Sequence, residues 1–468
     1  MDLPRSESPS LTAASVAAPR ANLRALLLLA WPIVITRATQ AIVGFTDALL
    51  VAPLGQEPLA AATTGSMNAL AAIMLPMGTV FIVQSFAAQL RGRGALDAVR
   101  RYALYGLSIA LGAGLLSAAV IPFIPGLLGQ LEYAPGVRDH MTTYLSIRLL
   151  SVGAAVGMEA FGNWYGGLGN TRLPMVAGVV TMVANVAGDW LLIEPRLGLP
   201  GYGVAGAAWA SVGATWLGFG VLGWAFAKNV GHGLAPGPLG FRLEEFWRVL
   251  RFGLPNGVNW FLEFAAFIIY INVVVAHLGT PVLAAFNVVM QINSISFMPA
   301  FGVASAGAIL VGETIGARGH DAVSAIVKRT ALTTGAWMGT VGLAYLIAPQ
   351  VLVGWFLPPE ERSDALLAAG ITMLAMSVLW QLFDALGMTL SEALRAAGDT
   401  TWCMFARIVL AWVVFTPIAW AAVLIFDGGV VVMMASLVVY MMCLAGAFVY
   451  RFLSGKWRRI EMIGEVAS

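Results

Sequence analysis

Long apolar stretches alternate with short polar segments along almost the whole chain. The stretches at 102–122, 173–193, 204–227 and 430–452 each contain about 20 residues and at most one charged residue. An α-helix rises about 1.5 Å per residue, so a helix of this length spans the hydrocarbon core of a bilayer. A transmembrane β-barrel would instead show short strands of alternating hydrophobicity. The pattern therefore predicts an all-α integral membrane protein.

The same pattern predicts about twelve transmembrane helices, near residues 25–50, 60–88, 102–125, 140–166, 173–193, 204–227, 250–278, 283–312, 328–349, 366–394, 402–425 and 430–452. Composition supports this prediction, because 59% of the 468 residues are hydrophobic and only 11% are charged. A soluble chain has about a quarter of its residues charged.

The first 20 residues lack the pattern of a secretory signal peptide. Cys403 and Cys443 lie in apolar stretches, which excludes a disulfide framework.

Basic residues are concentrated in alternate loops. If the N-terminus is cytoplasmic, the inner loops and helix ends contain Arg91, Arg93, Arg100, Arg101, Arg172, Lys228, Arg242, Arg248, Arg251, Arg318, Lys328, Arg329, Arg395, Arg451, Lys456, Arg458 and Arg459. The outer loops contain only Arg138, Arg196 and Arg362, beside several acidic residues. By the positive-inside rule, this asymmetry predicts a multi-pass protein of the inner or plasma membrane with both termini in the cytoplasm.

The two halves of the chain resemble each other. Three pairs of segments match in order, and each half begins with a proline in its first helix: 54–61 with 278–285, 92–99 with 316–323, 169–171 with 398–400, and Pro32 with Pro255. Matching segments have the same orientation, so the sequence predicts two six-helix bundles in a parallel 6+6 repeat. The predicted organisation is an N-terminal tail (1–24), an N-lobe (25–228), an inter-lobe loop (229–249), a C-lobe (250–455) and a C-terminal tail (456–468).

Several motifs resemble those of the multidrug and toxic compound extrusion (MATE) family in their order and spacing. They are Pro32 followed fifteen residues later by Asp47, Gly-Val-Ala-Gly-Ala-Ala at 203–208, Gly-Leu-Pro at 253–255, and the paired turns at 168–175 and 394–400. The resemblance covers about residues 25–455. It implies a MATE-like fold and export of organic cations and other amphipathic compounds, driven by inward H⁺ or Na⁺.

Four carboxylates lie within the predicted membrane helices: Asp47, Asp189, Glu263 and Asp384. A charge in the hydrocarbon core costs about 2.5–3.5 kcal/mol or more, so such groups usually have a function. From the helix rise, Asp47 and Asp189 lie about 8–10 Å from the outer helix ends, whereas Glu263 and Asp384 lie about 16 Å above the inner ends. The sequence therefore predicts one acidic site in each lobe.

The N-lobe carboxylates are predicted to bind the coupling ion. Asn185 precedes Asp189 by four residues and therefore shares its helix face. A carboxylate in a low dielectric can bind and release protons near neutral pH. With Asn185 and a hydroxyl such as that of Ser211 nearby, the same oxygens would ligate Na⁺. The alternative is a structural role, with Arg37 as a counter-ion. The prediction is H⁺ or Na⁺ as coupling ion, with no other metal and no cofactor.

The family resemblance assigns the two acidic sites to different branches. Asp47, Asn185 and Asp189 match the N-lobe cation site of the DinF-like branch, whereas Glu263 and Asp384 match the C-lobe acidic pair of the NorM-like branch. The chain therefore mixes DinF-like and NorM-like features. The resemblance also implies that Pro32 is a hinge at which helix 1 bends when Asp47 is protonated. The alternative for Pro32 is a static kink.

Polar and aromatic residues of helices 7 and 8 are predicted to line a central cavity, since polar groups facing lipid would be costly. Aromatic faces attract cations, which suits an organic cation as substrate. The predicted lining residues are Asn256, Asn259, Trp260, Gln291 and Asn293.

The predicted function is therefore an antiporter that exports amphipathic, cationic small molecules by alternating access, as a monomer in the lipid bilayer. The alternative is a flippase for a lipid-linked glycan or lipid precursor of the same superfamily. A flippase needs a strongly cationic cavity to hold phosphate, whereas the basic residues available here are Arg37, Arg148 and Arg407. An enzyme is disfavoured, because the four histidines are not paired at ligand spacing. No Walker A motif is present, so ATP does not drive transport directly. Nothing in the sequence indicates nucleic-acid binding.

Overall fold

The computed structural model describes residues 22–234, 240–356 and 363–464. These residues form twelve long apolar helices when the bent ninth is counted as one span, which confirms the predicted fold class. The helices are α1 (Leu23–Leu54), α2 (Gln56–Arg93), α3 (Leu96–Leu128), α4 (Pro135–Gly167), α5 (Arg172–Leu192), α6 (Gly203–Ala227), α7 (Leu243–Val275), α8 (Thr280–Gly316), α9 (His320–Ile347, followed at 92° by Pro349–Trp355), α10 (Asp364–Ala396), α11 (Thr400–Ile425) and α12 (Val430–Leu453). Most of the predicted N-terminal tail and the predicted outer-loop residue Arg362 lie outside the described residues.

The helices pack as two lobes of six. In the N-lobe, α5 packs against α6 and α1, and in the C-lobe, α10 packs against α8, α9 and α12. The main contacts between the lobes are α1 with α8, α2 with α7, and the second part of α2 with α8. In the sequence repeat, α1 corresponds to α7 and α2 to α8. The first two helix pairs are therefore equivalent and the third corresponds to itself, as expected for a parallel repeat around an axis along the membrane normal.

Two helices extend beyond the apolar stretches that predicted them. Helix α7 begins at Leu243, so the inter-lobe loop predicted at 229–249 is shorter than expected. Its first turn contains Glu245, which forms an ion pair with Arg101 in α3 at 2.9 Å. Helix α9 begins at His320 rather than near 328. Apolar stretches mark only the part of a helix in hydrocarbon, and acidic residues near an N-terminus stabilise further turns outside it.

The segment after α12 is packed against the helices, although the sequence predicts a tail at 456–468. In its described part, Trp457 is buried, and its ring stacks on that of Phe452 at 5.4 Å between centroids. Met462 is also buried, with its sulfur 3.2 Å from Nε2 of Gln89 in α2. Because the segment carries aromatic and apolar side chains, it covers the helix ends of both lobes rather than extending into water.

The lobes approach each other most closely at one end of the bundle, which we call the basic end. It is the end with the loop segments 94–95, 168–171, 228–234, 240–242, 317–319 and 397–399. A Cβ added at Gly92 in α2 would collide with the backbone carbonyl of Glu313 in α8. A Cβ at Gly316 in α8 would likewise collide with the backbone carbonyl of Gln89 in α2. Only glycine allows two backbones to approach this closely. The cleft between the lobes is therefore closed at the basic end.

Replacing Gly92 with Ala should weaken this closure, because the new methyl group meets backbone rather than a flexible side chain. Overpacking of this kind costs about 1–3 kcal/mol. We expect a lower melting temperature in detergent and slower transport in proteoliposomes. Gly112→Ala is the matched control, since a Cβ at Gly112 has no neighbour within 4 Å. Equal melting temperatures and transport rates for the two variants would contradict the proposed role of the contact.

A buried arginine of an ion pair in α10 forms hydrogen bonds across the same inter-lobe contact. Arg395 in α10 is 3% exposed and pairs with Glu392 one turn earlier. Its guanidinium also donates to three groups of α2: the carbonyl oxygen of Phe81 (3.2 Å), Oγ of Ser85 (3.1 Å) and Oε1 of Gln84 (2.8 Å). Phe81 lies where the regular helix of α2 is interrupted, and Gln84 and Ser85 lie in the first turn after the interruption. Arg395 therefore joins the lobes at the basic end.

Candidate functional site

Three helices of the N-lobe bring polar side chains together within the membrane span. Asn185 in α5 donates from Nδ2 to Oγ of Ser211 in α6 at 3.1 Å. Ser211 in turn donates to Oδ2 of Asp47 in α1 at 3.2 Å. The carboxyl groups of Asp47 and Asp189 lie close enough to act electrostatically on each other. The structure therefore brings together the four residues that the sequence predicts for the N-lobe site.

Residue spacing and one glycine explain why these side chains meet. Asn185 and Asp189 are one helical turn apart and share a face of α5. A Cβ at Gly188 would lie 2.9 Å from the Cβ of Ala210, so α5 and α6 are in close contact at this level. Ser211 follows Ala210 and is thereby brought within reach of Asn185.

The N-lobe cluster contains buried acceptor oxygens that lack donors. Asp189 is 0% exposed. Both of its carboxylate oxygens, Oδ1 of Asp47 and Oδ1 of Asn185 have no hydrogen-bond partner among the described residues. Burial of such groups without a partner is costly, and two adjoining carboxylates cannot both stay ionised without a compensating cation. The arrangement therefore has the chemistry of a site for a proton or a small cation such as Na⁺.

Two arginines of the N-lobe have different relations to this cluster. Arg148 in α4 is close enough to act electrostatically on Asp189. Arg37, the counter-ion candidate from the sequence, forms an ion pair with Glu159 in α4 at 2.9 Å. Its guanidinium also lies 5.4 Å from the ring centroid of Phe301 in the C-lobe. The charge of Arg37 is thus balanced by Glu159. Arg37 is therefore not the counter-ion of Asp47 and Asp189.

Three charged residues from three helices meet in the C-lobe. Glu263 in α7 forms an ion pair with Arg407 in α11. Asp384 in α10 interacts electrostatically with both of these groups. The side chain of Glu263 is 36% exposed although α7 spans the membrane, where a charge that faces lipid would be costly. The structure places the two predicted carboxylates together and adds a guanidinium to them.

Two of the predicted cavity-lining residues have hydrogen-bond partners inside the protein. Asn256 in α7 donates from Nδ2 to the carbonyl oxygen of Gly78 in α2 at 2.7 Å, which joins the lobes. Asn293 in α8 is buried and accepts a hydrogen bond from Nε2 of Gln381 in α10 at 2.5 Å. These partners explain why amide side chains lie within membrane helices, and they position Asn293 inside the C-lobe bundle.

The other predicted positions have fewer polar contacts. Asn259 is buried, and its Oδ1 has no hydrogen-bond partner among the described residues. The ring of Trp260 lies 5.1 Å from that of Phe81 in the N-lobe. Gln291 is exposed. Pro32, the predicted hinge, lies within the helical part of α1, where its carbonyl oxygen accepts a hydrogen bond from Oγ1 of Thr36 at 2.8 Å.

Sequence reasoning missed the ion pairs around these sites. Glu392 and Arg395 are three residues apart, a spacing that places them on one helix face and could have indicated their pairing. Glu263 and Arg407 are distant in sequence, so no local pattern indicates their contact. The only signal for Arg407 is a basic residue inside an otherwise apolar stretch.

Comparisons with known proteins agree with the fold and with the arrangement of the two lobes. The MatE family model matches residues 32–191 and 255–421, one segment in each lobe. A probable multidrug resistance protein NorM from Deinococcus radiodurans is 34% identical over 406 residues, which cover 84% of this chain and 87% of that protein. The multidrug resistance protein PmpM from Pseudomonas aeruginosa is 27% identical over 421 residues, covering 88% and 87% of the two chains.

Solved structures resemble the whole fold. An outward-facing multidrug resistance MATE transporter of the MOP superfamily superposes with a TM-score of 0.85 at 18% identity, covering 94% of this chain and 97% of that one. A MOP superfamily transporter from Pyrococcus furiosus superposes with a TM-score of 0.83, also at 18% identity, over 93% and 97% of the two chains. At this identity the likeness establishes the fold, whereas the family match rests on sequence over both lobes. The chain therefore belongs to the MATE family and is a secondary transporter rather than an enzyme.

Proposed function

We propose that the chain is a cation-coupled antiporter that exports amphipathic, cationic organic compounds by alternating access of the cleft between its lobes. Its relatives NorM and PmpM are named as multidrug resistance proteins, which supports a broad range of small molecules as substrates. The proposal includes a monomer in the inner or plasma membrane, with the basic end and both termini in the cytoplasm. The excess of Arg and Lys in the loops of that end supports this orientation.

The observation that carries the proposal is the buried cluster of Asp47, Asn185, Asp189 and Ser211. Ser211 links Asn185 to Asp47 by hydrogen bonds, and both oxygens of Asp189 are buried without a partner among the described residues. One proton shared by the pair removes the repulsion between two buried negative charges. A proton that enters this site from outside and leaves on the inside would therefore change the stability of the N-lobe arrangement once per cycle.

Na⁺ is the second candidate for the coupling ion. The four partnerless oxygens belong to Asp47, Asn185 and Asp189, and hard cations prefer oxygen ligands of this kind. A proton would be shared by the two carboxyl groups, whereas Na⁺ would be held by the partnerless oxygens of all three residues. The transport experiment described below decides between the two ions.

The C-lobe carboxylates are proposed to attract the substrate cation. Because a charge that faces lipid is costly, we infer that the partly exposed Glu263 faces the cleft between the lobes. The side chain of Asp384 makes no hydrogen bond to any residue in the described part of the chain. With the basic end closed and placed in the cytoplasm, we assign this arrangement to the outward-facing state of the proposed cycle. In that state the C-lobe carboxylates would release their substrate to the outside.

A lipid flippase fits the described contacts less well. A cavity that holds phosphate requires unpaired basic groups. Two of the three basic candidates have carboxylate partners, since Arg37 pairs with Glu159 and Arg407 pairs with Glu263. Arg148 interacts electrostatically with Asp189, so the charge of Arg148 is partly balanced as well.

Efflux of a fluorescent organic cation from proteoliposomes tests the proposal. An imposed pH gradient and an imposed Na⁺ gradient are applied in separate experiments, with Asp47→Asn as the control variant. We expect the pH gradient to drive efflux of the cation in the wild type and not in the variant. Efflux driven only by Na⁺ would identify the other coupling ion. No efflux under either gradient would contradict the antiporter and favour the flippase.

A further inference from the structure

We propose that Arg407 is a built-in counter-ion that limits the C-lobe site to one positive charge on the transported compound. The inference rests on the proposed export of organic cations and names the charge class of substrate that the site accepts. Arg407 would thus determine specificity without being the group that attracts the substrate.

The first step is the position of the three charges. Glu263, Asp384 and Arg407 are contributed by α7, α10 and α11, so the charges meet only when the C-lobe is folded. Nη1 of Arg407 donates to Oε2 of Glu263, and the two side chains are 14% and 36% exposed. Asp384 has no hydrogen bond to a described residue, so its charge is not already engaged by a donor.

The second step is that Arg407 is held in place. Its Nη2 lies 3.4 Å from Oγ of Ser391 in α10, and its guanidinium carbon lies 5.6 Å from the ring centroid of Phe448 in α12. Contacts with α7, α10 and α12 therefore surround the guanidinium. A group fixed from three sides cannot move away readily when a second cation arrives.

The third step is the balance of charge. Two carboxylates and one guanidinium leave a net charge of −1 when all three groups are ionised. A monocation restores neutrality, whereas a dication leaves an uncompensated positive charge in a low dielectric, which is costly. Specificity of this kind depends on a repulsive element as well as an attractive one. Arg407 supplies the repulsive element.

Ethidium and propidium form a matched pair of probes, because they share the phenanthridinium ring and carry one and two positive charges. Efflux of each dye from proteoliposomes is measured under the driving gradient for the wild type, Arg407→Met and Arg407→Lys. We expect the wild type to prefer ethidium about ten-fold or more, and Arg407→Met to lose that preference by gaining propidium efflux. Arg407→Lys retains the charge and should retain the preference.

The double variant Glu263→Gln with Arg407→Met is the control for misfolding of Arg407→Met. It removes both members of the ion pair, so neither Glu263 nor Arg407 is left without its partner, and its net charge of −1, carried by Asp384, equals that of the wild type. We expect it to prefer ethidium as the wild type does. Single Glu263→Gln has no net charge and should lose ethidium efflux.

Three results would overturn the inference. They are an unchanged dye preference in Arg407→Met, propidium efflux equal to that of ethidium in the double variant, and loss of the preference in Arg407→Lys. Failure of the proposed function gives a different result, since the wild type would then export neither dye under any gradient. That outcome would overturn the antiporter and this inference together.

Discussion

Asp189→Asn is expected to abolish uphill export of an organic cation while leaving downhill exchange of the same compound intact. Asparagine keeps the size of the side chain and can donate a hydrogen bond to Asp47, so the fold of the N-lobe should survive. It cannot bind a proton, so the step that couples the gradient to the conformational cycle is lost. Under an imposed pH gradient we expect the initial rate to fall at least about ten-fold.

The two readouts separate coupling from binding. Exchange of labelled for unlabelled substrate at equal pH requires the cleft but no gradient, so Asp189→Asn should support it at close to the wild-type rate. Asp97→Asn serves as the matched control, because it is the same change at an exposed position of the basic end. If Asp189→Asn keeps full uphill export, the N-lobe pair is not the coupling site. If it loses exchange as well, the residue has a structural role.

Arg395→Met should open the basic end of the cleft. The substitution removes a guanidinium that binds Ser85 and Gln84 across the inter-lobe contact, and it leaves Glu392 as a buried charge without its partner. Removing one member of a buried ion pair costs about 3–5 kcal/mol. Because the contact exists only while the basic end is closed, part of this cost falls on the closed state. We therefore expect a shift towards the state open at the basic end, together with a large loss of transport.

Cysteine accessibility measures this shift directly. Ser305 is buried at the contact and lies 3.3 Å from Gln84, so Ser305→Cys reports whether the basic end is open. In a background without Cys403 and Cys443, a membrane-impermeant maleimide should label this position faster when Arg395 is replaced. Arg318→Met is the control, since Arg318 is exposed in a loop of the same end. Equal labelling rates in both variants would show that Arg395 does not hold the lobes together.

Much of the fold follows from the sequence, because hydrocarbon imposes a simple constraint on the chain. Only a helix satisfies its own backbone in lipid, so each apolar stretch of about 20 residues becomes a spanning helix. The constraint weakens outside the hydrocarbon core. The first turn of α7 is stabilised by the ion pair of Glu245 with Arg101, and the segment after α12 is held by the contact of Met462 with Gln89. Neither contact lies in an apolar stretch that the sequence pattern would reveal.

The candidate sites were only partly predictable for a similar reason. Depth along a helix can be calculated from the rise per residue, which grouped Asp47 with Asp189 and Glu263 with Asp384. The rotation of one helix against another depends on packing, however, and packing decides partners. Arg407 could therefore be recognised as an unusual residue, but its contact with Glu263 required the folded C-lobe.

The two glycine contacts at the basic end are related to each other by the sequence repeat. Gly92 meets Glu313, and Gly316 meets Gln89. Under the sequence repeat, Gly92 is the counterpart of Gly316, and Gln89 is the counterpart of Glu313. The two contacts are therefore equivalent by a pseudo-twofold rotation within one chain. A contact in which residue i meets j and j meets i is isologous, the form that defines a twofold homodimer. The seam between the lobes therefore has the pseudo-twofold form of a homodimer interface, although a single chain supplies both sides.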